Sequence, residues 1–402
     1  MWGTLVVLIL GLIVLGFWLS RLPHFGVRVL RELPVSYTLQ TQDSVSLIVA
    51  ARDEAEAIEA NVRSLLRQSY PKLELIIVDD RSSDATGTIL DKLAEEFPQL
   101  SVIHNTHLPE GWLGKCWALH QGAQRAQGTW LIFCDGDVLM QPTAVEHAVA
   151  TCQREDYQHL CMAPRFLEEG FIEQAVITSL TFLFYVFQDP RHVFEPKRTS
   201  AYMGVGAFNM IQRNLYDRVG GHEALRLEIV DDVFMGMLAK RHGGRSAFFL
   251  GVEQASLHWY SGVWSYIRGI EKNSFAGIRF SLALLVLAIA GQSLLFFAPL
   301  VYLLKSTGVT QVAWAASLLI EHGLFAIVCV RSRIPWNRCF FLLPALLVQF
   351  FAFARSAWIT LRQGGVRWRG TFYPLAALKA AQKTLRGPLI PWPRRTSTNG
   401  KR

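Results

Sequence analysis

Apolar positions fall along the chain in three regimes. The first is an unbroken run from Trp2 to Ser20, WGTLVVLILGLIVLGFWLS, without a single charge. That is close to the length needed to cross a hydrocarbon core. Nothing basic precedes the run, whereas Arg21, Arg28 and Arg31 come after it. A cleaved secretory signal carries its basic residues in front, so residues 1–20 read as a retained anchor. The positive-inside rule then puts the chain beyond Arg31 on the cytosolic side of the cell (inner) membrane. The last regime holds 280–304, 309–330 and 339–361, each long enough to cross, although Glu321, His322 and Arg355 interrupt the second and third.

Between these lies a stretch of mixed polarity, 43–276, with strand-like and helix-like periods in alternation. VSLIVAA, at Val45–Ala51, has the near-continuous apolarity of a strand buried on both faces. Residues 54–68 come next, with Ile58, Val62, Leu65 and Leu66 at helical spacing. LELIIVDD, at Leu73–Asp80, predicts a second buried strand, with Ser82, Ser83 and Asp84 as N-cap candidates for a helix running toward Phe97. A strand at 100–104, a helix at 115–126 and a strand at 129–137 continue the alternation, which predicts a parallel α/β sheet. Phe171–Phe187 is apolar around most of its circumference but contains Glu173 and Gln174, and Asp189-Pro190 lies just beyond it. It is expected to lie in the membrane interface, where it would form an acceptor entrance.

Composition adds three constraints. With 51% hydrophobic residues the chain is too apolar for an ordinary soluble protein. The net charge of +8 invites a nucleic-acid reading, but the basic residues sit beside apolar runs and near the C-terminus, where anionic lipid head groups are the better counterpart. Cys116, Cys134, Cys152, Cys161, Cys329 and Cys339 form no CxxC pair and no zinc-ligand spacing, which suits buried small hydrophobes in a reducing compartment.

Candidate chemistry gathers where the strands end. Asp135-Gly136-Asp137 places two carboxylates one residue apart, hard oxygen ligands suited to Mg2+ or Mn2+ carrying a diphosphate. A surface turn offers the same residues. The other strand ends supply Arg52-Asp53-Glu54 and Asp79-Asp80, so one sheet edge would carry acceptors for a base and ribose beside a cation site. Asp79 has the alternative of satisfying backbone, and Asp84 that of capping its helix, the reading preferred for Asp84. Asp231 and Asp232 open a helix, where two acids also suit the macrodipole.

VSLIVAARDE, VDDRSSDAT, LPEGWLGKCWALHQG and DGDV resemble the family 2 glycosyltransferases, across 43–276. The GW-GK-WA segment and the apolar C-terminal part resemble membrane enzymes that glycosylate lipids: hopanoid-associated, carotenoid-acid and ceramide glycosyltransferase-like proteins. The resemblance implies an α/β GT-A catalytic domain, Rossmann-like with a mixed, mostly parallel sheet, between an N-terminal anchor and C-terminal transmembrane or re-entrant helices at 280–361. It sets Ala50, Arg52 and Glu54 against the nucleotide base, Asp80 as its reader and Lys115 near the diphosphate. Asp137 would be the main metal ligand, and Asp135 would touch ribose or metal. Asp232 would be the base that inverting displacement requires, with Asp231 as its partner.

Gly204-Val205-Gly206-Ala207-Phe208-Asn209 resembles the family's acceptor-side strand and Gly220-Gly221-His222 the turn before the base, though both also read as turn punctuation. The QxxRW motif of processive synthases is missing, which argues for transfer of a single sugar. Arg268 and Lys272, one helical turn apart, either neutralise the leaving diphosphate or snorkel to the membrane surface. Trp368-Arg369-Gly370 resembles an element placed after the spans of related lipid enzymes and is expected at the membrane interface, ahead of a basic cytosolic tail within 362–402. Three C-terminal crossings would strand that tail outside, so an even number is expected, with Pro344 or Glu321-His322 marking the exception.

The leading expectation is a metal-dependent inverting transferase moving one sugar from a UDP-sugar, by resemblance, to a lipid. One rival is transfer to polyprenyl phosphate, for which Arg165, Arg191, Arg198 and Arg213 are candidates. The other is an inactive membrane nucleotide-binding module or scaffold, against which the retained acids speak.

Overall fold

A computed structural model describes residues 2–30 and 43–386; Arg31 and the basic tail beyond 386 lie outside them. The strands in chain order are β1 Val45–Ala51, β2 Leu73–Asp80, β3 Leu100–Asn105, β4 Trp130–Asp135, β5 Leu139–Met140, β6 His159–Ala163, β7 Arg165–Phe166, β8 Asn209–Gln212, β9 Ser246–Leu250, β10 Ala255–Leu257, β11 Gly365–Trp368 and β12 Thr371–Pro374. Seven of them form one sheet in the order β3-β2-β1-β4-β8-β6-β9. Only β8 runs antiparallel to its neighbours, so the sheet is mixed and mostly parallel. The central strands are buried on both faces, which is why β1 and β2 read as continuous apolar runs. This is the α/β layout of a GT-A domain.

Local chemistry moved several element boundaries. The helix expected over 54–68 is Ile58–Leu66. The preceding turn is held open: Ser82 Oγ, Thr86 Oγ1 and an Asp84 carboxylate oxygen accept from the backbone N–H groups of Asp53, Glu54 and Ala55. Asp84 is therefore a loop staple, not an N-cap; it also accepts from Thr86 N, and Ala85 occupies the cap of Thr86–Glu96. Ser82 and Ser83 are not caps either.

The apolar helices pack chiefly against one another and against Phe171–Phe187 and Val263–Gly277. Trp2–Arg21, Leu282–Lys305 and Gly308–Arg331 pack on one another. Leu342–Gln363 instead packs on Phe171–Phe187 and Val263–Gly277. By length and composition four helices are able to cross a membrane: Gly3–Phe25, Leu282–Lys305, Gly308–Arg331 and Trp336–Gln363. Behind the first, Arg28 and Leu30 bond to Leu250 at the edge of the sheet. Residues 365–386, within the expected tail, fold into the β11–β12 hairpin and the helix Leu375–Arg386. Buried Leu378 joins Leu113, Cys116 and Ile229, anchoring this segment to the α/β domain.

Candidate active site

The carboxyl ends of β1, β2 and β4 open onto a cleft of about 1160 Å3. At β1, Ala50, Arg52 and Glu54 line it; at β2, Asp80; at β4, Asp135 and Asp137. The helix Gly114–Arg125 brings Lys115, and the helix Asp231–Arg241 brings Asp231 and Asp232 in its first turn. Arg268, Lys272, Trp368 and Arg369 close the far wall. The residues that the resemblance set at the donor, the metal and the base therefore line one cleft. Arg165, Arg191, Arg198 and Arg213 do not line it. Arg213 spends its guanidinium on the carbonyls of Ala123, Ala126 and Gly128, and Arg191 pairs with Asp189.

Lys115 is the electrostatic centre. Its Nζ lies 2.6 Å from Asp135 Oδ1 and 3.7 Å from Asp231 Oδ1. Burial works against its charge, but Asp135, Asp231 and Asp232 outweigh it and hold the ammonium charged well above the ordinary range. Asp135 benefits in turn: burial would raise its pKa, yet Lys115, with Lys272 and Arg369 behind it, keeps it below the usual carboxylate value.

The remaining acids are less compensated. Burial, then Asp135 and Glu54, push Asp137 up to about 7. Burial and the neighbouring Asp231 raise Asp232 to about 6, a value suited to taking a proton near neutrality. Asp231 is raised too, chiefly by burial, and His222 lies 3.9 Å away with its Nδ1 on the Tyr216 hydroxyl. Asp80 is 4% exposed and gripped by both nitrogens of the Arg81 fork, at 2.9 Å each. Asp79 is committed to structure, accepting from Ser82 N and meeting His104 Nδ1 at 3.0 Å.

A divalent cation is implied by this kind of site, and the donor set fits one. Asp137 and Asp135 offer hard oxygens, and burial with the neighbouring Asp135 and Glu54 displaces the Asp137 carboxyl to about 7 against the weaker pull of Lys115. Among the described residues no three His, Cys, Asp or Glu side chains already converge on a metal position. Substrate phosphate oxygens are the usual remaining ligands of such a cation.

Several residues of the site carried little signal in the sequence. Gly206 O accepts from Asp135 N at 3.0 Å, and a Cβ at Gly206 would stand 2.5 Å from Asp135 Oδ2. A Cβ at Gly204 would collide with the backbone carbonyl of Asp232. These glycines, readable as turn punctuation, bring the β4 acids and the helix-borne acids together. Asn209 Nδ2 also donates to Asp232 O at 3.0 Å, and His159 Nε2 meets Asn209 Oδ1 at 2.8 Å. Trp368 and Arg369, expected at the membrane interface, line the cleft.

The fold has the GT-A layout, and the carboxyl ends of its strands carry an acid-lined cleft. Residues 46–234 match the family model described as Glycosyl transferase family 2, and this part of the chain is a family 2 glycosyltransferase domain. It is similar to "Beta-monoglucosyldiacylglycerol synthase" of Trichormus variabilis, 32% identical over 160 residues, which is 38% of this chain and 32% of the relative. It is also similar to "4,4'-diaponeurosporenoate glycosyltransferase" of Staphylococcus haemolyticus, 31% identical over 122 residues, which is 30% of this chain and 32% of the relative. The chain thus spans about a third of the length of these relatives. Among solved structures, mannosyltransferase PcManGT from Pyrobaculum calidifontis, in complex with GDP-Man and Mn2+, aligns at a TM-score of 0.49 and 15% identity, covering 88% of this chain and 98% of that one.

Proposed function

We propose that this chain is a membrane-bound, inverting, metal-dependent hexosyltransferase that moves one sugar from a nucleotide sugar, with UDP as the expected nucleotide, to a lipid acceptor. The observation that carries it is the convergence of Asp135 and Asp137 with Asp231 and Asp232 around Lys115, inside one cleft framed by apolar helices. Lipid as the acceptor is supported by those helices and by the names of the relatives above.

In this reading Ala50, Arg52, Glu54 and Asp80 receive the nucleoside. Asp137 and Asp135 would hold the divalent cation, whose charge neutralises the departing diphosphate. Arg268 and Lys272 face the same leaving group. The Asp232 carboxylate accepts the acceptor hydroxyl's proton as that oxygen attacks the anomeric carbon, and the nucleoside diphosphate departs from the opposite face. Asp231, bridged by Lys115 to Asp135, fixes the distance between the two acidic pairs.

The same frame supports an orientation. The chain leaves the cleft at Asn273 and lines it again from Ile359 onward, which in this reading calls for an even number of crossings by the intervening segment. Arg333, just after Gly308–Arg331, pairs with Glu253 of the catalytic domain, so the chain is back on the cleft's side there. Leu342–Gln363 starts and ends on that side, tied down by Arg355 to Glu271 at 2.9 Å and by Tyr266 to Gln349 at 2.8 Å. We therefore take it as interfacial. The N-terminal helix and the pair Leu282–Lys305 and Gly308–Arg331 are then the crossings, with a cytosolic cleft in the inner membrane.

Purified protein in lipid discs, supplied with a panel of nucleotide sugars and Mn2+, tests the function. Release of nucleoside diphosphate that EDTA abolishes and extracted membrane lipid stimulates is expected. Folded protein that releases none with any donor would overturn the proposal.

A further inference from the structure

The hairpin after the last apolar helix has a role that its position in the chain conceals. Its two-residue turn is Arg369-Gly370, both with positive φ (47° and 78°), the geometry of a tight hairpin that aims the turn residue outward. An arginine is an uncommon occupant of that backbone region. The turn is thrust into the cleft: Arg369 donates through one guanidinium nitrogen to Arg52 O and through the other to Glu54 Oε1 at 2.6 Å. Glu54 is itself one of the acids that unsettle Asp137. The guanidinium thus reaches from the nucleoside end of the cleft toward its paired aspartates.

Two neighbours point to the same ligand. Lys272 Nζ sits 3.7 Å from the centroid of the Trp368 ring, and among the described residues it has no carboxylate in ion-pair range. A desolvated ammonium held over an indole, with Asp135 and Asp231 beyond ion-pair range, is a site prepared for an anion. At the base of the hairpin, the Tyr373 hydroxyl accepts from Gly114 N at 3.3 Å. Hairpin and Lys115-bearing helix are thereby joined. Gln382, on the helix behind, bonds Glu228 at 3.0 Å, so the whole arm is tied to the segment before Asp231.

Resting on the reading of this cleft as a nucleotide-sugar site, we propose that Arg369 is a diphosphate ligand supplied from beyond the membrane helices. Its guanidinium exchanges Glu54 for the oxygens of a nucleoside diphosphate, which matches the planar two-nitrogen fork. Trp368 holds Lys272 beside it as the second cation. The hairpin is a clasp over the donor, built from residues outside the matched family segment of 46–234.

Titration calorimetry of the full-length protein in lipid discs, with Mn2+, tests the clasp using UDP and GDP against uridine and guanosine. For the better-bound pair, Arg369→Ala is expected to weaken the diphosphate by roughly 10- to 100-fold, the range of a lost hydrogen bond to a charged group, and the nucleoside by less than about twofold. Arg369→Lys should fall between. Equal losses for diphosphate and nucleoside would make the hairpin a mere wall of the pocket and overturn the proposal, as would unchanged diphosphate binding. If the unaltered protein binds no nucleotide at all, the nucleotide reading itself fails and the clasp fails with it.

Discussion

Lys115 Nζ stands 2.6 Å from Asp135 Oδ1, an ion pair that joins the helix Gly114–Arg125 to the end of β4 across the floor of the cleft. With Asp231 3.7 Å away on the other side, the ammonium is shared between two acidic pairs. A site with this much negative charge needs an internal cation even before any metal arrives. Lys115 fills that role, so it differs from a simple phosphate-binding lysine.

Replacing it exposes the difference. In Lys115→Met the carboxylates of Asp135 and Asp231 lose their shared counter-ion in a desolvated place, which is costly. Turnover is expected to fall by roughly 10²–10³-fold, as for removal of one preorganised electrostatic group. The melting temperature should fall as well, and more at pH 8 than at pH 5, because the orphaned acids are charged at the higher pH. A variant with lower turnover but a pH-independent melting temperature would confine Lys115 to the donor.

The proposed proton acceptor, Asp232, gives a pH signature. Burial and Asp231 place Asp232 at about 6, and only its ionised form can take a proton. Turnover should therefore rise with pH through about 6 and level above it. Asp232→Asn should lower turnover by about 10²–10⁴-fold, the usual scale of general base catalysis, with UDP affinity changed less than about twofold. Activity that persists in the variant with the rising limb intact would assign the base elsewhere.

Much of the sheet and of the acidic cleft was open to sequence reading because it lies in local patterns. β1 and β2 announce themselves as apolar runs ending in acids, and Asp135-Gly136-Asp137 is contiguous. The features that escaped depend on distance along the chain. Arg369 meets Glu54 across 315 positions, and no local period predicts that contact. Gly204 and Gly206 read equally as an acceptor-side strand by resemblance or as turn punctuation, because the groups they accommodate, Asp232 and Asp135, are brought to them only by the fold. Asp84 has the composition of a cap, but the neighbouring strand's loop offered its carboxylate Ala55 N instead.

Asp137 makes a prediction about stability. Its folded pKa of about 7 lies above the ordinary 3.8, so the folded protein binds this proton more tightly than the unfolded chain does. Stability from this group is full below about pH 4 and declines as pH rises to about 7. Without metal, Asp137→Asn should therefore melt higher than the unaltered protein at pH 8 and close to it at pH 4. Adding Mn2+ and UDP should reverse the order at pH 8, since only the carboxylate gains a ligand. Equal metal-induced stabilisation of both proteins would remove Asp137 from the metal site.

The interfacial assignment of Leu342–Gln363 is open to direct labelling. All six native cysteines are buried, so single introduced cysteines dominate the reaction with a membrane-impermeant maleimide. Thr307 lies between Leu282–Lys305 and Gly308–Arg331; Arg333 comes just after the second of these, and Gln363 ends the third apolar helix. If two helices cross and the third lies flat, Thr307→Cys labels on intact cells stripped of outer barriers. Arg333→Cys and Gln363→Cys then label only after the membrane is opened. Were the third helix a crossing, Gln363→Cys would react from outside, yet Gln363 itself lines the cleft that holds Asp135 and Asp232. External labelling of Gln363→Cys in protein that still transfers sugar would therefore overturn the interfacial assignment and the cytosolic cleft together.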